Sequence, residues 1–483
     1  MDTGGLMAKY SRFGARRATS LLFVAGMIAV TCQTNAVQPA DAAAVPRPTA
    51  AQIRWQHDEL GIFFHFDIEV FDRAYQTISV RGNRLPPLGS IRPKLFNPRR
   101  LDTNQWLRVA KSMGAKYAVF TAKHSSGFLM WPSGIYPYGV RQSPWRGGHG
   151  DVVRDFIKSC RKYAVAPGLY CSAGANSWWS LHEGPVGFKQ GKAIGTPAAV
   201  RRFLAMDVRM YASLWKHAGP LAYIWFDGGV DPLGSRLNGL LRKYEPDAVC
   251  FNGPAGAPGG IARWSGNEHG FVGYPLWNTA STTDDQRDRG AGTPNGPYYI
   301  PVEANVPLRY HFWMWKSDTV NKILPLATLM KMYLHTVGRG SNFIVNANID
   351  PDGRVPAPDA RRLAQFGALI RKWFGTSLAQ VSGRGDRIDL PLPHPTVINF
   401  VMIQEDISRG QKIRSYQVEG LVHGIWKPLC RGQSVGEKRI QQFDAARVSA
   451  IRLLITQSVG TPVVRKLAVF HIRTPWPAPS HPK

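Results

Sequence analysis

The sequence predicts an α/β protein, with a (β/α)8-like barrel over residues 52–378 followed by an all-β sandwich domain over residues 379–483. In the first region, short apolar runs alternate with segments of helical periodicity, which is the pattern of repeated βα units. In the second region, short alternating segments are separated by glycine and polar turns, which is typical of a sandwich. An open doubly wound sheet is the alternative to the barrel, but no glycine-rich phosphate turn follows the first strand.

Five apolar runs in the first region predict buried strands of a parallel sheet. They cover residues 61–66, 117–121, 167–172, 222–226 and 248–252. Between them, apolar residues recur at spacings of three and four, which predicts amphipathic helices over residues 102–113, 152–163, 200–216 and 237–243. A last helix is predicted to open at Asp359 as its N-cap. The strands predicted in the second region are residues 397–403, 412–418, 424–430, 438–443, 448–455 and 464–471.

The first 42 residues have the composition of a secretory signal peptide. Arg16 and Arg17 precede an apolar run over residues 21–30, and a tract of small residues with Ala40 and Ala42 follows. These are the basic region, apolar core and cleavage site of such a signal. The apolar run is about half as long as a membrane span requires, so no stable membrane insertion is expected. We predict export to the periplasm or the extracellular space, with residues 43–51 as a linker.

The chain of 483 residues is strongly basic, with 60 Lys and Arg against 32 Asp and Glu and a formal net charge of +28. The cations are scattered rather than clustered, which favours diffuse basicity over a dedicated binding patch. The sequence contains no zinc-finger spacing and no aromatic signature of RNA-binding domains. Nucleic acid is therefore not an expected partner.

Four cysteines follow the predicted signal peptide: Cys160, Cys171, Cys250 and Cys430. Each lies within an apolar segment, so buried free thiols are the preferred interpretation, although an exported chain could pair them. Their spacing does not match a zinc site. The sequence thus predicts neither a metal nor a cofactor.

Polar residues follow the apolar runs at the points where the predicted strands end. His65 ends the first run, His124 follows the second, and Asp227 ends the fourth. Because barrel enzymes build their sites at the carboxyl ends of the strands, we expect these side chains to share one mouth. Each residue taken alone is better explained as an ordinary polar strand end.

Asp227 directly follows an apolar run that contains Trp225 and Phe226, so we expect its carboxylate to be partly screened from water. A carboxylate in that position can act as a nucleophile. A second acid with a separate role would complete the carboxyl pair of a glycosidase. Glu268 and Glu303 are both candidates, and their sequence surroundings do not choose between them.

Several segments of the barrel region resemble the α-L-fucosidases of glycoside hydrolase family 29, in the order that the family has them. They are residues 61–65, 115–124, 127–128, 131–133, 168–170, 225–228, 266–270 and 337–342. Residues 404–426 are similar to the β-sandwich of the same family. The resemblance covers nearly the whole chain after the predicted signal peptide.

The resemblance implies an exported exo-glycosidase that removes terminal α-L-fucosyl residues by a retaining double displacement, without a cofactor. Asp227 is then the nucleophile and Glu268 the general acid/base. The residues that match the sugar pocket of the family are His65, His124, Tyr170 and Trp225. The Gly-Asn-Glu-x-Gly motif at residues 266–270 is similar to the branch that prefers α-1,3/1,4-linked fucose. The implied partner is a fucosylated oligosaccharide or glycoconjugate.

Two short motifs depart from the family pattern. Ser125 and Ser126 replace the second His and the Asp of a His-His-Asp-Gly motif, and Phe66 and Asp67 replace a Trp-Gly pair after the first strand. Since the second His contacts the sugar in relatives, a retaining α-glycosidase for another sugar, such as an α-L-galactoside, is an alternative. A non-catalytic carbohydrate-binding protein is another, although both acids are present.

The Trp178-Trp179 pair is expected either to stack on a sugar at the edge of the pocket or to pack in the core.

Overall fold

The computed structural model describes residues 45–77, 85–184, 186–189, 192–231, 233–283 and 290–473. The predicted signal peptide, residues 1–42, and the first residues of the predicted linker lie outside these ranges. Among the described residues, no helix is both long and apolar enough to cross a bilayer.

Eight parallel strands form a closed barrel, in which every strand pairs with its neighbours in the chain and the last pairs with the first. The strands are β1 (Leu60–His65), β2 (Tyr117–Lys123), β3 (Ala166–Cys171), β4 (Tyr223–Trp225), β5 (Val249–Phe251), β6 (Ile261–Trp264), β7 (Val302–Pro307) and β8 (Asn342–Asn348). The predicted barrel is confirmed. All eight carboxyl ends therefore open at one mouth.

Most of the helices bury apolar side chains against the outside of these strands, whereas the first helix places Trp55 on Tyr223 in the inner aromatic layer. In the described parts of the chain they are α1 (Ala50–Asp58), α2 (Thr103–Met113), α3 (Val152–Tyr163), α4 (Ser177–His182), α5 (Pro197–Ala218), α6 (Asn238–Tyr244), α7 (Leu326–His335) and α8 (Ala357–Phe374). Trp106 of α2, for example, packs on Phe64 of β1 with ring centroids 5.4 Å apart. No α-helix lies in the described residues that connect β5 to β6 and β6 to β7, so the barrel is (β/α)8-like rather than complete.

Aromatic side chains fill the inside of the barrel beneath the mouth. Because side chains alternate along a strand, Phe63 and His65 of β1 share the inward face, with ring centroids 4.3 Å apart. The same buried cluster contains Tyr117, Tyr170, Tyr223, Trp225 and Phe251 from the neighbouring strands. This layer forms the floor on which a site at the mouth is built.

Three barrel strands, β6, β7 and β8, were not predicted, because polar residues interrupt their apolar pattern. Arg263, Glu303 and Asn346 occupy buried positions in these strands, and each finds hydrogen-bond partners there. Burial of a polar side chain costs little once it is paired. A strand that buries polar side chains therefore lacks the apolar run by which we identified the first five.

Helix α8 begins at Ala357 with Pro356 as its N-cap, so the prediction of Asp359 as the N-cap is wrong. Asp359 lies inside the first helical turn and is fully buried. Its carboxylate accepts a hydrogen bond of 2.8 Å from Nη2 of Arg309, which follows β7. An Asp near the start of a helix thus serves here as the partner of a buried cation.

The C-terminal region is an antiparallel sheet of six strands whose buried apolar side chains form a core of their own. The strands are β9 (Ala379–Arg384), β10 (Arg387–Glu405), β11 (Ile413–Val422), β12 (Ile425–Gly432), β13 (Arg439–Ser458) and β14 (Val463–Phe470). Strands β10 and β13 are long, and their pairing passes through two register shifts. The predicted strands 438–443 and 448–455 are therefore parts of the single strand β13. This arrangement confirms the predicted sandwich.

The four cysteines are free thiols, of which Cys160, Cys171 and Cys250 are buried and Cys430 is partly buried.

Candidate active site

A cavity of about 380 Å³ lies at the carboxyl ends of the barrel strands. Its lining includes the side chains that the sequence singled out: His65, His124, Tyr170, Trp225, Asp227 and Glu268. It also includes seven that the sequence did not single out: Glu69, Asn305, His311, Phe312, Trp313, Met314 and Lys316. The volume is within the usual range for small-molecule sites.

One wall of the cavity is a continuous stack of four rings. Trp225 lies flat on Phe251 at 4.0 Å and on Tyr170 at 5.7 Å, with interplanar angles of 8° and 17°. Tyr170 in turn stacks on His124 at 5.3 Å and 19°. Because the rings are stacked on one another, they present their edges to the cavity as a partly apolar wall.

Asp227 follows the end of β4 and is held from one side by Tyr170. The hydroxyl of Tyr170 donates a hydrogen bond of 2.8 Å to Oδ2 of Asp227. Burial, together with the nearby carboxylate, raises the pKa of Tyr170 well above its usual value, so this hydroxyl stays a donor. Asp227 is itself exposed, which differs from the expected partial screening by its aromatic neighbours. Its carboxylate thus faces the open cavity.

Glu268 lies in the segment after β6 and is held by two residues of the segment after β7. Nε1 of Trp313 donates to Oε2 of Glu268 at 3.0 Å, and Nε2 of His311 lies 2.7 Å from the same oxygen. The Glu268 side chain is 37% exposed, so it also faces the cavity. The segment that holds it is fixed by the buried Arg309–Asp359 ion pair.

Glu303 lies inside the barrel, below the cavity, and is fully buried. It accepts hydrogen bonds from the hydroxyl of Tyr117 at 2.6 Å and from Nε1 of Trp225 at 2.7 Å. Burial raises the pKa of Glu303 to about 7, although these donors oppose the shift. Of the two acids that the sequence left open, only Glu268 lines the cavity, while Glu303 holds Trp225 in place.

His65 is oriented by Asn346 on the adjacent strand β8. Nδ1 of His65 donates to Oδ1 of Asn346 at 2.9 Å, and the amide of Asn346 donates to the carbonyl of Trp313 at 2.9 Å. Burial lowers the pKa of His65 well below its usual value. The ring is therefore neutral, with Nε2 left as an acceptor for a ligand in the cavity.

The two motifs that depart from the family pattern contact each other. The hydroxyl of Ser126 donates a hydrogen bond of 2.9 Å to Oδ1 of Asp67. Ser125 does not line the cavity, and its Oγ lies 3.0 Å from Nδ1 of His124. The departures thus form one cluster behind His124.

Trp178 and Trp179 belong to the core, each being 8% exposed. Trp178 stacks on Tyr136 at 5.1 Å, and Trp179 packs against Phe203 at 6.2 Å. Neither lines the cavity described above. The core-packing alternative is confirmed.

Most cavity residues that the sequence did not single out follow strands that were not predicted. His311, Trp313 and Lys316 lie after β7, and Asn305 is part of it. The alternation in Asn346-Ala347-Asn348, with two amides on one face, is the signal that could have marked β8. Glu69 lies four residues after His65, in the short 3-10 helix Ile68–Phe71.

No group of three or more His, Cys, Asp or Glu side chains is placed to hold a metal ion within the described ranges.

A family model described as alpha-L-fucosidase matches residues 29–373. Alpha-L-fucosidase 1 of Arabidopsis thaliana is 24% identical over 491 residues, which cover 91% of this chain and 90% of the relative.

Solved structures show the same fold. A provisionally assigned α-L-fucosidase of Bacteroides thetaiotaomicron is 36% identical, with a TM-score of 0.81 over 89% of this chain and 100% of that chain. A family 29 fucosidase of Ruminococcus gnavus, solved in complex with fucose, is 21% identical, with a TM-score of 0.72 over 90% of this chain and 97% of that chain.

Proposed function

The chain belongs to the α-L-fucosidase family of glycoside hydrolases, and we propose that it is an exported, retaining exo-enzyme in which Asp227 and Glu268 do the chemistry. Its substrates are fucosylated oligosaccharides or glycoconjugates. The proposal rests mainly on one observation, which is that two carboxylates face the same cavity from separate supports.

In the first step, an oxygen of Asp227 attacks the anomeric carbon of the terminal fucosyl residue while the glycosidic C–O bond breaks. Glu268 gives its proton to the departing oxygen, and an ester joins Asp227 to the sugar. In the second step, Glu268 takes a proton from a water molecule whose oxygen attacks the same carbon. The ester bond then breaks, which restores both acids and releases fucose with its original anomeric configuration.

The surroundings of the two acids suit these different roles. A nucleophile needs a carboxylate oxygen in contact with the substrate, and the hydroxyl of Tyr170 holds Oδ2 of Asp227 in place. A general acid/base must hold and return a proton. His311 and Trp313 orient Oε2 of Glu268, which leaves its other oxygen for the glycosidic bond.

The sugar contacts the ring stack, which ends in His124, and His65 beside it. The partly apolar wall that Trp225 and Tyr170 form suits a deoxy sugar that carries a methyl group. Nε2 of His65 accepts a hydrogen bond from a sugar hydroxyl. The motif at residues 266–270 favours α-1,3/1,4-linked fucose, and the composition of residues 1–42 favours export.

Hydrolysis of an aryl α-L-fucoside, followed by proton NMR, tests this proposal. We expect the α-anomer of fucose to appear first and the β-anomer to grow in only by mutarotation. First appearance of the β-anomer would exclude the double displacement. An aryl α-L-galactoside measured in parallel tests the sugar, since a higher kcat/KM on that substrate would overturn the assignment of fucose.

A further inference from the structure

Asp67 carries a buried carboxylate oxygen without a hydrogen-bond partner, directly behind a histidine of the cavity. Asp67 is 1% exposed and precedes the helical turn Ile68–Phe71. Its Oδ2 has no hydrogen-bond partner and lies 3.9 Å from Nδ1 of His124. An unpaired buried carboxylate oxygen is costly, so its position calls for an explanation in terms of its neighbours.

The other oxygen of Asp67 is held firmly. Oδ1 accepts a hydrogen bond of 2.8 Å from the backbone N–H of Ile68 and one of 2.9 Å from the hydroxyl of Ser126. Ser126 is in turn fixed by the N–H of Phe128, which donates to its Oγ at 2.9 Å. Two donors on Oδ1 leave Oδ2 as the oxygen that faces His124.

The ring of His124 is equally constrained. One face stacks on Tyr170, and Nδ1 lies 3.0 Å from Oγ of Ser125. Nδ1 is therefore turned toward Ser125 and Asp67, away from a ligand. Nε2 is the ring nitrogen left for a ligand in the cavity that His124 lines.

We propose that Asp67 is a positioning residue that holds the ring proton of His124 on Nδ1, so that Nε2 accepts a hydrogen bond from a sugar hydroxyl. A negative oxygen beside Nδ1 favours the tautomer whose N–H dipole points toward it. That N–H donates to Oγ of Ser125, the hydroxyl within hydrogen-bond distance. The role assigned to Nε2 rests on the proposed function, whereas the position of the proton does not.

The charges around Asp67 are compatible with this role. Lys123 and His124 face it from the end of β2, Glu69 lies two residues along its own turn, and the rings of Tyr138 and Tyr170 are close enough to interact with its charge. Burial raises the pKa of Asp67 to about 7, while burial lowers the pKa of His124 to about 4. At pH 8.5 the carboxylate is therefore ionised and the imidazole is neutral.

His124 would then match His65, whose proton is held on Nδ1 by Asn346. The two rings lie 5.8 Å apart at the same cavity, and both would present Nε2 as an acceptor. Two acceptors select for a ligand with two hydroxyl donors.

The tautomer can be measured directly by long-range proton–nitrogen correlation on the full-length enzyme labelled with ¹⁵N-histidine, at pH 8.5. His124→Gln identifies the His124 signals. We expect the wild type to show the proton on Nδ1. In Asp67→Asn, the amide oxygen keeps the donors Ser126 and Ile68, so the NH₂ group faces His124 and donates to Nδ1. The proton should move to Nε2.

Steady-state kinetics on an aryl α-L-fucoside then show what the tautomer does. We expect Asp67→Asn to raise KM about three- to tenfold, with a smaller change in kcat, because one hydrogen bond to the sugar is lost. Glu245→Gln is the matched control. Glu245 is also buried, with one oxygen on the N–H of Leu221 at 2.8 Å and the other unpaired, but it lies before β5 at the opposite end of the barrel. It should change neither the tautomer nor KM.

If the ring proton of His124 lies on Nε2 in the wild-type enzyme, the proposal is overturned. This result does not depend on whether any variant folds. A proton that stays on Nδ1 in Asp67→Asn would overturn it as well. A proton that moves while KM stays the same would overturn the contact between Nε2 and the sugar. If the enzyme does not hydrolyse fucosides, the NMR result still decides the position of the proton, so failure of the proposed function is distinguishable.

Discussion

The mouth of the barrel and the interior just below it both contain carboxyl groups, in opposite surroundings. At the mouth, Asp227 is exposed with one donor on it, and Glu268 is 37% exposed with Trp313 and His311 on one oxygen. In the interior, Glu303 is fully buried, with donors on both oxygens. The sequence surroundings of Glu268 and Glu303 did not decide which of them is the second acid beside Asp227.

The difference teaches that the arrangement of donors separates a reactive acid from a supporting one. An acid at the mouth keeps at least one oxygen free for a substrate, whereas both oxygens of Glu303 are occupied. Glu303 nevertheless affects the site, because it fixes the indole of Trp225 from below. Variants of the three acids should therefore fail in different ways.

The largest effect is expected for Asp227→Ala. Loss of the nucleophile removes an interaction of the transition state, so kcat should fall by at least about a thousandfold. Because Asp227 is exposed and makes one side-chain hydrogen bond, the melting temperature should move little. If the variant keeps the wild-type melting temperature and its activity is within tenfold of the wild type, Asp227 is not the nucleophile.

A smaller effect, dependent on the leaving group, is expected for Glu268→Ala. Substrates with poor leaving groups should slow by about 10²–10⁴, because they need protonation most. Azide should restore part of the turnover by attacking the glycosyl-enzyme in place of activated water.

Glu303→Ala is the contrasting variant. It should destabilise the protein, since Tyr117 and Trp225 lose their buried acceptor, and it should show no rescue by azide. If azide rescues Glu303→Ala but not Glu268→Ala, then Glu303 and not Glu268 is the general acid/base.

The smallest effect concerns stability and pH. Burial raises the pKa of Glu245 to about 8 and that of Glu303 to about 7, so the folded state binds protons that the unfolded state releases between about pH 4.5 and 8. The free energy of unfolding should fall as pH rises through this range, by at most about 1.4 kcal/mol per pH unit for each carboxyl. Glu245→Gln should lessen this fall. Urea unfolding at several pH values measures the fall. If the free energy of unfolding depends on pH as steeply in Glu245→Gln as in the wild type, the raised pKa of Glu245 is contradicted.

The sequence predicted the barrel because five strands bury both faces and end in polar residues. It did not predict β6, β7 and β8, since a pattern of apolar runs cannot detect a polar side chain that finds its partner inside the fold. Glu303, for instance, is stabilised by Tyr117, which lies 186 positions earlier in the chain.

The same limit applies to the site. The six side chains taken from strand ends and family motifs line one cavity, while His311 and Trp313 were missed because they follow β7. The departures at Asp67 and Ser126 are visible in the sequence as two separate motifs. Only the packing of the turn after β1 against the turn after β2 shows that they are hydrogen-bonded to each other.

The buried ion pair between Arg309 and Asp359 connects the segment that holds the acid/base candidate to the C-terminal sheet. Arg309 precedes the residues that hold Glu268, and Asp359 lies in the first turn of helix α8. The last residue of α8, Phe374, packs on Phe400 and Phe470 with ring centroids 5.8 and 5.4 Å away. Removing the sheet would leave Phe374 facing water and would loosen the helix that anchors this segment. The sandwich is thus part of the frame of the active site, and the barrel alone is a poor unit for engineering or for transfer to another protein.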